Sequence, residues 1–199
     1  MIERGNATED EMVLAFLKAE IDSARFGPDC RKALSKYGQT RKKLIDKPDL
    51  NNTLDNEVRA AVLEDTRGYS ANVALFRGFP ENVTWRHVGL LPTEYGLLKY
   101  AKYNAWCNLS GGSRLVVVGA KNIETVQVGE DINAHVQAIA ERIRKGDAFP
   151  ELIAVQGNEP DLILLEGSKR ATAYALCEYA GTLELLVGYS PQMKGWPFY

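Results

Sequence analysis

The chain has almost no net charge, few histidines and cysteines, and no long hydrophobic run. Its 24 Lys and Arg nearly cancel its 26 Asp and Glu, leaving −2 over 199 residues. Such a balance gives no global field to attract a nucleic acid or an anionic membrane, so any anion binding must be local. The longest apolar stretches, such as residues 162–165 and 115–118, fall far short of the roughly 20 residues a membrane helix needs, and no span is expected. Two histidines, His87 and His135, leave little from which to build a Cys/His metal site, and any metal ligands are unassigned. Cys30, Cys107 and Cys177 are odd in number and far apart, which points to buried small hydrophobes rather than a disulfide framework. The opening residues lack the basic and apolar regions of a secretory signal, so the cytoplasm is the expected compartment.

What is present is enough apolar material, 45% of residues, for one substantial core or two small domains. Thr8-Glu9-Asp10-Glu11 has the spacing of a capping box, followed by Val13, Phe16, Leu17 and Ile21 at helical period. Gly27-Pro28 closes that run. Further helices are expected over residues 29–37, 54–66 and 94–108, with Phe76, Phe79 and Trp85 plugging a seam between subdomains. The β-branched run at 114–119 reads as a strand, and a domain boundary is set near Ser110. Beyond it, Asp131 or Asn133 can cap an amphipathic helix that Gly146 stops. Residues 151–156 and 161–165 then read as strands of a hairpin. A helix over 168–179, a last strand over 183–188 and an aromatic tail packed onto the core complete the pattern. The fold class expected is α+β: a mainly helical region over 1–110, then a small α/β domain with a mixed sheet over 111–199.

The strand-to-helix junction Glu166-Gly167-Ser168-Lys169-Arg170 carries the chemistry. Gly167 permits a tight turn and close approach of a ligand to the backbone. The first N–H groups of the helix opening at Ser168, with Lys169 and Arg170 beside them, favour an anion. Cations in a first helical turn oppose the macrodipole by roughly 0.3–1 kcal/mol each, a cost that an anion seated between them removes. Arg170 supplies a fork suited to phosphate oxygens. Read without a ligand, the same residues are a helix start in which Glu166 pairs with Lys169 or Arg170. Glu166 is the candidate catalytic carboxylate, Glu130 or Asp131 can approach from the preceding loop, and His135 stands on the helix after it.

The order helix, strand, tight turn, strand, Glu-Gly-x-x-Arg, helix, strand over residues 126–189 resembles the ParB/sulfiredoxin superfamily, in bacterial proteins whose N-terminal part is uncharacterised. That resemblance implies a nucleoside triphosphate, ATP or CTP, held at Gly167, Ser168, Lys169 and Arg170, with Mg²⁺ in an enzymatic version. Members that transfer phosphate, such as free-serine kinases, have an aspartate where Glu166 stands here. The enzyme reading is thus an ATP-dependent phosphotransferase or a nucleotide hydrolase. The alternatives are a nucleotide-responsive regulator or adaptor, and a DNA-associated ParB-like nuclease, which the near-neutral charge disfavours. Ser168 replaces the cysteine that sulfiredoxin chemistry needs. The acceptor or protein partner and the oligomeric state are unassigned.

Overall fold

A computed structural model describes residues 1–129 and 132–199. Its strands are β1 (Ile2–Ala7), β2 (Thr84–Leu90), β3 (Leu98–Tyr100), β4 (Leu152–Gln156), β5 (Leu162–Glu166) and β6 (Leu183–Tyr189). Its α-helices are α1 (Glu9–Glu20), α2 (Gly27–Lys36), α3 (Thr53–Arg67), α4 (Asn104–Leu109), α5 (Val116–Asn122), α6 (Ile132–Arg144) and α7 (Ser168–Leu176). The strands form one sheet in the order β1-β2-β6-β4-β5-β3. Pairings β1–β2, β2–β6 and β4–β5 are antiparallel, while β4–β6 and β3–β5 are parallel. The fold is therefore α+β with a mixed sheet, and the expected 152–166 hairpin is present. The regions on either side of Ser110 share this sheet: β1, β2 and β3 come from before it and β4, β5 and β6 from after it.

Helices cover both faces. Ile153, Val155, Ile163, Leu165 and Leu186 point into a core shared with α1, α2, α3 and the C-terminal tail. Leu152, Ala154, Leu162, Leu164, Leu185 and Val187 face the other way, against Val116 of α5 and Ala171 of α7. Strand β4 is buried on both faces, which explains its continuous apolar sequence. Each fully buried Leu, Ile or Val contributes about 1.5–3 kcal/mol relative to exposure. The tail packs as expected: Trp196 is 1% exposed and its indole N–H donates to the Leu75 carbonyl at 2.8 Å.

The capping box forms as read, with the Thr8 side chain accepting from the Glu11 N–H and Glu11 bonding back to the Thr8 N–H. The region over 1–110 is less helical than expected, since β1, β2 and β3 all lie in it, and two of the expected segments take another form. Residues 114–119 are not a strand; Leu115 makes a single bridge to Lys99 and the chain then coils into α5. Val116, Gly119, Ala120 and Ile123 are its buried residues, an i, i+3, i+4, i+7 set whose packing outweighs the β preference of three successive valines. Residues 94–108 are not one helix. A 3₁₀ turn, Pro92–Leu97, leads into β3, where Leu98 and Tyr100 are buried and Lys99 reaches Asp161 at 2.7 Å, before α4 begins. Pairing with β5 captures these three residues as the sheet edge.

Candidate functional site

Strand β5, lying between β4 and the edge strand β3, delivers the chain to Gly167. A register slip between Ile153 and Ala154 sets Glu166 opposite Ile153. Gly167 then turns with φ +99°, a left-handed conformation that strains any side chain, and a Cβ there would lie 2.5 Å from Leu152 Cδ2. The N-cap residue, Gly167, has no side chain with which to cap α7, and among the described residues no other side chain bonds its first N–H groups. Its first intrahelical bond runs from the Ala171 N–H to the Gly167 carbonyl at 2.8 Å, so the N–H groups of Ser168, Lys169 and Arg170 precede the helical ladder.

The first turn of α7 is fixed from below by buried hydroxyls. Thr172 Oγ1 donates to the Ser168 carbonyl and stands 2.7 Å from Tyr100 Oη. With the threonine proton so used, Tyr100 is the donor in that second contact. Tyr100 itself stacks on Trp106 with ring centroids 4.8 Å apart. Lys169 is half-buried, and its Nζ lies 3.0 Å from His135 Nδ1 on α6. The ammonium has only protons to offer, so His135 accepts through Nδ1. His135 therefore does stand beside the turn.

Arg170 has a different position from the one expected of a clamp. It is only 7% exposed. Its guanidinium donates to the carbonyls of Pro150 and Glu151, the latter at 3.0 Å, and to Glu166 Oε1 at 3.2 Å. These bonds tie the start of β4 to α7 and engage the candidate catalytic carboxylate in an ion pair. Arg170 is thus a positioning residue for the turn, while Ser168 and Lys169 are the side chains at its opening. Glu130 and Asp131 lie outside the described residues. Among the described residues, no group of three His, Cys, Asp or Glu side chains could hold a metal ion.

Charged groups that sequence reasoning missed surround the Glu166–Arg170 pair. Glu20, at the end of α1, is 2% exposed, and burial pushes its carboxyl up to about 8. The nearby Arg67 and Arg25 oppose that rise and Glu166 adds to it. Arg67 Nη1 comes within 3.0 Å of Glu20 Oε1, but the angle falls short of a hydrogen bond, and neither carboxyl oxygen has a hydrogen-bonding partner among the described residues. His87 of β2 lies between two carboxylates, with Glu11 Oε1 3.4 Å from Nε2 and Glu151 Oε2 3.6 Å from Nδ1. Burial raises the Glu151 carboxyl. For Glu11 burial acts the same way, but the Thr8 hydrogen bonds and His87 outweigh it and lower the group. These residues come from elements distant in sequence, and only the sheet order brings them together.

A cavity of about 280 Å³ is bounded by Phe149, Glu151, Leu152, Tyr174, Tyr179 and Glu184 among others, with none of residues 166–170 in its lining. Leu152, which lines the cavity, is also the side chain that a Cβ on Gly167 would meet, so one residue separates the cavity from the turn. Comparison with protein-family models, curated proteins and solved structures finds no match to the chain.

Proposed function

We propose that the protein binds a nucleotide, with phosphate at the N-terminus of α7 and the base in the cavity that Leu152 separates from the turn. The observation that carries this reading is the helix opening at Gly167, uncapped among the described residues, with Lys169 and His135 beside it. The aromatic rings of Phe149, Tyr174 and Tyr179 in the cavity suit a base. The ParB/sulfiredoxin resemblance agrees with ATP or CTP, and Mg²⁺ would accompany their phosphates.

Between an enzyme and a regulator, the Glu166–Arg170 pair favours the regulator. Glu166 Oε1 already accepts from the Arg170 guanidinium at 3.2 Å, a contact that ties the carboxylate to the start of α7 instead of leaving it to take a proton from an acceptor. Nucleotide would then act by binding one conformation or assembly better than another. A thermal-shift series with ATP, CTP, GTP, ADP and inorganic phosphate, with and without Mg²⁺, tests the reading. A ligand at 100 times its Kd stabilises by about 2.7 kcal/mol. The shift should shrink in Lys169→Gln, whereas no shift with any of these ligands refutes nucleotide binding. Release of diphosphate product that is lost in Glu166→Gln would return the protein to the enzyme class.

A further inference from the structure

A second cavity, of about 260 Å³, shares no lining residue with the first. It is enclosed by the start of α1, the loop after α3 and the start of β2. Tyr69, Phe76, Phe79 and Trp85 supply aromatic walls, and Glu9 and Glu81 supply carboxylates at its margin. None of the residues lining it is basic.

The walls are rigidly set. Phe76 meets Tyr69 and Phe79 edge-on, with centroids 5.0 Å and 5.3 Å away, so successive rings turn through steep angles. Phe79 in turn meets Trp196 at 5.6 Å, and the Trp196 bond to Leu75 pins that loop from behind. Tyr69 donates its hydroxyl proton to Glu9 Oε1, fixing a carboxylate at the rim. The connecting loop holds Ser70, Asn72 and Ala74 at φ +55°, +54° and +49°, conformations that non-glycine residues rarely adopt. Surrounding contacts must maintain them. Burial and the neighbouring Asp10 raise the Glu9 carboxyl, an electrostatic cost that a nearby cation would relieve.

Aromatic faces attract cations through their quadrupoles, and most strongly where water is excluded; cages of this composition suit quaternary ammonium groups. We propose that this cavity binds a small organic ammonium group, held by Tyr69, Phe76, Phe79 and Trp85 with Glu9 and Glu81 balancing its charge. The volume sets the size: it lies at the low end for small-molecule sites, suited to a methylated ammonium head rather than an extended ligand.

The test compares choline with 3,3-dimethyl-1-butanol, its uncharged carbon isostere, by isothermal titration calorimetry on the full chain. Choline should bind saturably and at least tenfold more tightly than the isostere. Glu81→Gln, at an exposed position, should weaken choline severalfold while leaving the circular dichroism spectrum and Tm unchanged. Phe79→Leu should weaken it further. An N-trimethyllysine amide in parallel separates the sources: preference for it assigns a protein side chain, and preference for choline a free small-molecule quaternary ammonium. Equal affinity for choline and isostere, absence of binding by both cations, or full affinity in the folded Glu81→Gln variant overturns the proposal.

Discussion

Glu20→Gln should make the protein more resistant to alkaline conditions, although it removes one partner of an ion pair. The Glu20 carboxyl lies near 8 in the folded chain against an ordinary 4.5, with burial the main cause. Between these values the folded state keeps a proton that the unfolded state has released, so stability falls as pH rises. The slope is about 1.4 kcal/mol per pH unit and the full loss about 5 kcal/mol, complete above pH 8. That is a large part of the ~5–15 kcal/mol by which a domain is stable. The contribution is fully present below pH 4.5. Glutamine copies the neutral carboxyl in shape and cannot ionise, so the variant should match the wild type within about 1 kcal/mol at pH 5. At pH 9 it should be the more stable by roughly 2–5 kcal/mol. Urea unfolding at half-unit steps from pH 5 to pH 9 measures the difference. Subtracting the two profiles cancels Glu9 and Glu151, whose carboxyls are also raised. A difference that stays constant across the range refutes the reasoning. Glutamine destabilising at every pH would mean instead that Glu20 is ionised and strongly paired with Arg67.

Gly167→Ala should cost at least about 2 kcal/mol in urea unfolding, because it meets both the +99° φ and Leu152. Arg170→Ala should lower stability by about 3 kcal/mol, since it strands the Pro150 and Glu151 carbonyls and leaves Glu166 without its cation. Thermal denaturation of the variant without ligand checks this, and an unchanged Tm would return Arg170 to the role of clamp. Trp196→Ala should cost about 3–5 kcal/mol, measured by the same denaturation, through loss of a buried indole and its bond to Leu75.

Where a signal was local, the sequence was sufficient. Thr8 and Glu11 are three residues apart, and their reciprocal bonds depend on nothing else. The β4–β5 hairpin and the turn at Gly167 likewise rest on neighbouring residues. Strand β1 had no such signal: it is an exposed edge without apolar alternation, and its pairing with β2 joins residues more than 70 positions apart. The valines of α5 misled because β preference is weak beside packing; the buried spacing of Val116, Ala120 and Ile123 was the better guide.

Arg170 marks the limit of motif reading at the site itself. Its place in Glu-Gly-x-x-Arg was visible, but a guanidinium serves an anion or a set of carbonyls equally well. The choice was made by the slip in β4–β5 pairing and by the proximity of Pro150 and Glu151, both of which are tertiary. Sequestering Arg170 leaves the opening of α7 to backbone N–H groups, Ser168 and Lys169, a gentler field than a guanidinium would give. What Arg170 does join is Glu166 at the end of β5 to the carbonyls of Pro150 and Glu151 at the start of β4, so the first turn of α7 is fixed to two neighbouring strands by one buried side chain.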